Sequence, residues 1–367
     1  MINVKRCTRC LMPNTRPDTD FVNGVCSACL HHDAQQSIDW AERKNDLMKL
    51  FARQKPNASG FDCIVASSGG KDSTCQVLSL LELGARPLIV TATTCMLTEM
   101  GRKNIDNLKR FAPTIEVTPN QEVRAKLNRL GLQMVGDISW PEHVAIFTTP
   151  MRIAVSLGIL LVFYGENPQA AYGGPIGEQD ACQMTRRWVS EFGGFLGLRP
   201  SDMVGKLGIT SKDMDEYRFP DEKLIKKAGC EAHFLGQYLG PWNGRHNAKV
   251  AIEHGFRCDR PCVNSWWEFE NQDNVMTGIH DYMMYLKYGY GRACAQLSVD
   301  IRSGFISRDV AYKELKEREG AFPAVYMGVP IQDVCRRIGI TFGDMLRVFD
   351  EFTNTDIFEV ADNGIGA

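Results

Sequence analysis

What this 367-residue chain lacks narrows its reading first. It has no excess of either charge: 42 Lys and Arg stand against 44 Asp and Glu, a formal −2 with a pI near 6.4. Proteins that hold nucleic acid through their bulk surface carry a basic excess, so no nucleic acid is expected here beyond what one local basic patch would hold. Long apolar runs are missing too. The longest, from Ile153 to Tyr164, is interrupted by Ser156 and Gly158 and is too short to span a bilayer. No apolar stretch follows the opening MINVKRCTRC, so neither a signal peptide nor a membrane contact is expected, and the chain reads as cytoplasmic. The 13 cysteines are odd in number. In that compartment they point to free thiols and metal ligands in preference to a disulfide framework.

What the chain does have is apolar residues, 44% of the total, enough for more than one domain. A polar, amphipathic helix is expected over 38–54, followed by a turn-rich joint, KPNASG. Beyond it, apolar runs at 62–67, 86–92, 114–118 and 158–164 alternate with helical patterns at 73–83, 99–111 and 122–130. This alternation predicts an α/β fold, a parallel sheet with helices on both faces. Ligands then bind beyond the carboxyl ends of the strands, which directs attention to the loops 68–73, 93–98 and 165–174. From about Tyr238 the strands fade, and 275–288, 307–318, 331–338 and 342–352 read as helices. Three regions result: an N-terminal zinc-ribbon-like module with its linking helix (1–55), the α/β domain (56–240) and a mostly helical C-terminal region (241–367), whose last residues, ADNGIGA, read as an unstructured tail.

Between the first strand and first helix stands SSGGKDS. Gly69 and Gly70 remove side chains that would block a phosphate, and the backbone N–H groups at the helix start form an anion cradle. Lys71 adds a point cation, Ser68 and Ser73 add hydroxyl donors, and Asp72 is a candidate to hold Mg²⁺ or cap the helix. This is not a Walker A loop, whose required Gly and Ser/Thr positions hold Val65 and Asp72 here,. Glu166 and Asn167 end a buried strand at the same edge, where they are either Mg²⁺ and nucleotide contacts or a strand-end turn. Gly173 either lets ligand approach or turns the chain.

Cys7, Cys10, Cys26 and Cys29 give C-x2-C-x15-C-x2-C, two knuckles that present four thiolates to a tetrahedral Zn²⁺ with no open position and therefore a structural role. His31 and His32 read as bystanders. Cys63, Cys75 and Cys294 read as core residues, and Cys258 with Cys262 stays unassigned between metal, redox and neither. Lys287, Arg292 and Arg302 lie in segments dense in Gly and aromatics, as clamps for an anionic substrate group or as solvated helix-end charges.

SGGKDS at this place resembles the signature of the ATP pyrophosphatase, or PP-loop, superfamily, which implies a HUP-like nucleotide-binding fold and a loop that holds diphosphate while AMP is transferred to a carbonyl or amide oxygen. Within that superfamily an N-terminal cysteine cluster also occurs in tRNA thiolation enzymes, so two readings compete. Further segments carry a second resemblance: MPNTRPD at 12–18, Gly165-Glu166-Asn167, Tyr172-Gly173-Gly174, FLGQYLGPW at 234–242, YLKYGYGR at 285–292 and DIRSGFISRDVA at 300–311. In these the chain is similar to N-acetyl sugar amidotransferases of bacterial surface-polysaccharide and nonulosonic-acid pathways. That resemblance implies an ATP- and Mg²⁺-dependent, AMP-forming conversion of an acetamido sugar to an acetamidino sugar for lipopolysaccharide O-antigen. It also implies a separate glutaminase subunit and a cyclase-like subunit that conducts ammonia. A non-catalytic nucleotide-binding module is the third class open at this point.

Overall fold

The computed structural model describes residues 4–53 and 59–358. The joint at 55–56 and the tail ADNGIGA lie outside the described residues. A two-residue hairpin, β1 (Phe21–Val22) and β2 (Val25–Cys26), leads into α1 (Ser27–Ala34) and then α2 (Trp40–Ala52). The main sheet is built from β3 (Cys63–Ala66), β4 (Pro87–Ala92), β5 (Thr114–Val117), β6 (Leu161–Tyr164) and β7 (Glu231–Phe234), all parallel, in the order β5-β4-β3-β6-β7. β3 and β6 are buried along their whole length, as apolar runs covered by helices on both faces must be.

The crossovers are α3 (Lys71–Glu82), α4 (Glu99–Leu108), α5 (Gln121–Val135) and α6 (Trp140–Leu157), with α7 (Pro168–Tyr172), α8 (Arg186–Phe192) and α9 (Glu222–Ala228) between β6 and β7. α6, which carries prolines 141 and 150, had no counterpart in the sequence reading. Pro141 occupies the first turn, where no N–H is needed, and Pro150 is carried inside the helix. The helix takes residues 153–157 of the apolar run and ends on Gly158 at φ +67°, so the strand expected from 158 begins at Leu161. β7 was also unexpected. Its EAHF pairs with β6 from Leu161↔Glu231 to Tyr164↔Phe234 and closes that edge of the sheet.

The C-terminal region contains α10 (Gly244–Glu253), α11 (Thr277–Tyr288), α12 (Arg292–Arg302), α13 (Arg308–Arg318), α14 (Ile331–Ile338) and α15 (Phe342–Phe352), with a small hairpin of β8 (Val325–Tyr326) and β9 (Val329–Pro330). α10 and α12 had no counterpart in the sequence reading. The apolar cores run across the chain's regions. One joins Leu132 and Ile138 to Met283, Val334 and Phe349. Another joins Leu11, Met12 and the four N-terminal cysteines to Ala293, Leu297 and Leu315. Cys63, Cys75 and Cys294 are buried, as core residues should be. Among the described residues no helix is long and apolar enough to cross a membrane.

Candidate functional site

The strand order reverses between β3 and β6: β4 and β5 lie to one side of β3, and β6 and β7 to the other. The loops that leave these two neighbours diverge and open a crevice at their carboxyl ends. SSGGKDS leaves β3, and Gly165-Glu166-Asn167 leaves β6.

A backbone demand explains the first of the loop's glycines. Gly69 has φ +86°, and a Cβ there would stand 2.7 Å from Ile105 Cγ1 and 3.0 Å from its backbone nitrogen. Gly70 is the N-cap of α3 without a side-chain cap, which leaves the first N–H groups of the helix directed at the crevice. Ser73 Oγ is spent inside the loop, accepting the Ser68 N–H at 3.3 Å, and Gly69 N–H goes to Ser67 Oγ at 3.0 Å.

Lys71 is 5% exposed. Its Nζ donates to Asp72 Oδ2 at 2.7 Å and to Glu270 Oε1, and lies 5.8 Å and 5.7 Å from the ring centres of Trp267 and Phe269. Burial opposes its charge, but Asp72 and Glu270 outweigh it and hold the ammonium well above its usual pKa. Asp72 Oδ1 accepts from Asn247 Nδ2 of α10 at 2.8 Å. Glu166 stands beside this cluster. Burial first, then the negative charge of Asp72, pushes its carboxyl up to about 7.

Glu270 carries no motif in the sequence, and its place is set by elements far away in the chain. The loop 93–98, expected at the ligand edge, instead grips the segment after Glu270: Thr98 N–H bonds Asp273 O at 2.9 Å and Val275 N–H bonds Met96 O at 3.0 Å. Gly101 allows this approach, since a Cβ there would meet Asp273 Cα at 2.8 Å. From the other side the fully buried Gln296 of α12 donates to Glu270 Oε2 at 2.9 Å and accepts the N–H groups of Trp266 and Trp267 at 2.6 and 3.0 Å. Both indoles donate to Asp300.

Two cavities share the wall formed by Lys71, Asp72, Glu166, Tyr172 and Glu270. The smaller, about 250 Å³, contains the whole loop Ser68–Ser73 together with Phe256, Phe269 and Arg292. The larger, about 340 Å³, is bounded by Trp242, Trp267, Arg302 and the α1 helix of the cysteine module. His31 and His32, read as bystanders, line this cavity.

The remaining expected residues divide. Arg292 is in the smaller cavity, held by both oxygens of Asp281 at 3.2 and 2.8 Å. Arg302 is in the larger. Asn167 borders the larger cavity, but its side chain is occupied by the fold: Oδ1 caps Gln169 N at 3.0 Å and Nδ2 donates to Glu178 O at 2.8 Å. Gly173, at φ +96°, lies against Thr19 and Ser27 and offers its carbonyl to Arg16, so it docks the cysteine module. Lys287 lines neither cavity. Its Nζ donates to Val135 O at 2.9 Å, and burial lowers its pKa.

The cysteines meet. All four are buried, with Cys7 Sγ 3.8 Å from Cys29 Sγ and Cys10 Sγ 3.6 Å from Cys26 Sγ. Tetrahedral Zn²⁺ with bonds of about 2.3 Å separates its sulfurs by about 3.8 Å, so the donor set fits that ion. N–H groups of Arg9 and Cys26 point at Cys7 Sγ, and that of Met12 at Cys10 Sγ, at 3.3–3.5 Å. Such contacts orient thiolate ligands. For Mg²⁺, Asp72, Glu166 and Glu270 are the available oxygens. They are not drawn into one tight group, which suits an ion that commonly takes one or two carboxylates and completes its shell with phosphate and water. A second gathering, Asp137 with His143 and His280 at 3.1 and 2.8 Å, ties α6 to α11 away from both cavities.

Residues 263–365 match the family model described as LPS biosynthesis protein WbpG-like, C-terminal domain. No curated protein matches the chain. The matched stretch supplies Glu270, Arg292, Gln296 and Arg302, and the likeness ties this region to proteins of LPS biosynthesis.

Proposed function

We propose that the chain is an ATP-dependent, AMP-forming amidotransferase that converts the acetamido group of an N-acetylated sugar to an acetamidino group for surface polysaccharide. The observation that carries this reading is the loop Ser68–Ser73 at the strand-order reversal, with Lys71 and three carboxylates on the wall between a smaller and a larger cavity. The likeness to LPS biosynthesis proteins supports a sugar acceptor.

An amide oxygen is a poor leaving group, so it must first be activated. The acetamido oxygen attacks the α-phosphorus of ATP and diphosphate departs. Ammonia then adds to the imidate carbon, loses a proton, and AMP leaves with the former amide oxygen, giving the amidine. In the smaller cavity the N–H groups at the start of α3 and the Arg292 guanidinium face the phosphates, and the Lys71 ammonium balances charge on the departing diphosphate. Glu166, with a pKa of about 7, is suited to take the proton from the added nitrogen at neutral pH,. Mg²⁺ bound by Asp72 with Glu270 would neutralise phosphate charge. The acceptor occupies the larger cavity, whose lining includes Trp242 and Trp267. Ammonia comes from a separate glutaminase subunit, conducted by a cyclase-like partner.

The test is incubation with ATP, Mg²⁺, ammonium and a panel of N-acetylated sugars while AMP and diphosphate are measured. Sugar-dependent AMP is expected. Production of ADP, or AMP that ignores the sugar, overturns the reading; thiolation of tRNA instead would assign the chain to the sulfur-transfer branch.

A further inference from the structure

Away from both cavities, three side chains from separate parts of the chain converge. Asp137 comes from the turn between α5 and α6, His143 from the first turn of α6, and His280 from the first turn of α11. One ligating atom from each lies within 4.8 Å of the other two. The Asp137 side chain is buried, and its Oδ1 accepts the Ser139 N–H at 2.8 Å, which orients the carboxylate. Both imidazoles turn Nδ1 toward it, His280 at 2.8 Å from Oδ1 and His143 at 3.1 Å from Oδ2. The two rings meet edge to face with centres 5.1 Å apart.

These two contacts are not equivalent. His280 makes an ordinary hydrogen bond to Oδ1. His143 Nδ1 is nearly as close to its oxygen, yet it is buried without a hydrogen-bond partner among the described residues. Gly194, at φ +76°, packs against that nitrogen so closely that a Cβ would stand 2.9 Å from it. An unpaired buried polar atom is costly. A nitrogen at hydrogen-bond distance from a carboxylate, but out of line to donate to it, is placed as a lone-pair ligand for an ion held between them. Two imidazole nitrogens and one carboxylate suit Zn²⁺ and its neighbours, whereas Mg²⁺ and Ca²⁺ prefer oxygen alone. Tetrahedral bonds of about 2.0–2.1 Å separate neighbouring ligand atoms by about 3.3 Å, so the observed 2.8 and 3.1 Å need to open by only about 0.2–0.5 Å. The His143 and His280 side chains are 28% and 21% exposed, which lets an ion reach the cluster in the folded chain.

We propose that Asp137, His143 and His280 form a second metal site, distinct from the four cysteines, for Zn²⁺ or another divalent transition ion, with a fourth position left to water. It acts as a clasp. His143 belongs to the α/β domain and His280 to the C-terminal region, and their neighbours Ile138 and Met283 share one apolar core. Three protein ligands hold an ion less tightly than four thiolates in a closed site, so this ion exchanges with solution while the cysteine-bound one stays.

The test uses the full chain dialysed against a weak chelator until only the cysteine-bound zinc remains. Calorimetric titration with Zn²⁺, and with Co²⁺ followed by visible absorption, should show one further ion per chain, without a thiolate charge-transfer band in the Co²⁺ spectrum. The added ion should raise the midpoint of thermal unfolding. His143→Ala and His280→Ala are the variants of choice, because both rings are partly exposed, whereas loss of the buried Asp137 would confuse folding with binding. Each should weaken uptake roughly a hundredfold or more, since even groups that only orient metal ligands are worth ten- to hundredfold, and each should keep native dichroism and the cysteine-bound zinc. No uptake of a further ion, uptake that survives both histidine variants, or a Co²⁺ spectrum showing thiolate charge transfer overturns the proposal.

Discussion

Replacing Glu166 by Gln tests the electrostatics of the site without depending on any substrate. In the folded chain burial and the neighbouring Asp72 raise this carboxyl from 4.5 to about 7. The folded state therefore binds a proton that the unfolded chain has released, and between these two values stability falls as pH rises. At 1.36 kcal/mol per pH unit the full penalty is at most about 3 kcal/mol, complete above pH 7 and absent below about pH 4.5. Gln has nearly the same shape and no charge to bury. The variant should match the wild type near pH 4.5 and exceed it in stability increasingly up to pH 7–8, with the gap then constant. Urea unfolding from pH 4.5 to 8 measures this directly, and added Mg²⁺ should narrow the gap by stabilising the wild-type carboxylate. A gap of constant size across the range, or one that shrinks as pH rises, would refute the reasoning. The same substitution should lower sugar-dependent AMP formation and flatten its rise between pH 6 and 8.

Three other outcomes follow from the geometry. Lys71→Met should cut AMP formation by about a hundredfold or more while the far-ultraviolet dichroism stays native, its stability loss reaching about 3 kcal/mol because Asp72 and Glu270 lose their cation,. Gly69→Ala should destabilise the fold by about 2–4 kcal/mol, from the left-handed backbone and the contact with Ile105,, visible as a lower midpoint in thermal unfolding. Elemental analysis should return one Zn²⁺ per chain, and its chelation should loosen α12 and α13 along with the cysteine module, detected as faster hydrogen exchange there; an iron–sulfur absorption band would contradict the assignment.

The parts of this site that the sequence reveals are those made by contiguous residues. SSGGKDS between an apolar run and a helical one, and two C-x2-C pairs, mark a candidate anion cradle and a candidate metal site by local spacing. The four strands found by apolar run were those covered on both faces or backed by a clear turn, whereas EAHF at 231–234 carries Glu and His and reads as no strand at all. It becomes one because β6 offers it an edge. Glu270 was invisible for a different reason. Its carboxylate reaches Lys71 only because Gln296, Thr98 and Gly101 hold its segment, and no periodicity records such a meeting. α12 hid its helix among the Gly and Tyr residues before it, and with it went the clue that Gln296 faces inward. His31 and Gln35 were legible in principle, since their spacing from Ala28 marks one face of α1, but only the cavity says what that face looks upon. Lys287 shows the converse: a cation among aromatics suggested either a clamp or a solvated helix end, and its ammonium donates to the Val135 carbonyl instead.

The core that joins the four cysteines to α12 and α13 has a practical consequence for retargeting the chain. The larger cavity, whose walls come from both ends of the sequence, cannot be exchanged by cutting at one boundary, because each half would carry away only part of it and expose an apolar face. Grafting the cysteine module from a relative without its matching α12 and α13 should give insoluble protein, whereas substitutions confined to the cavity face of α1 leave that seam intact. Changes to the larger cavity are therefore most accessible one side chain at a time, along a helix that the buried cysteine cluster already orients.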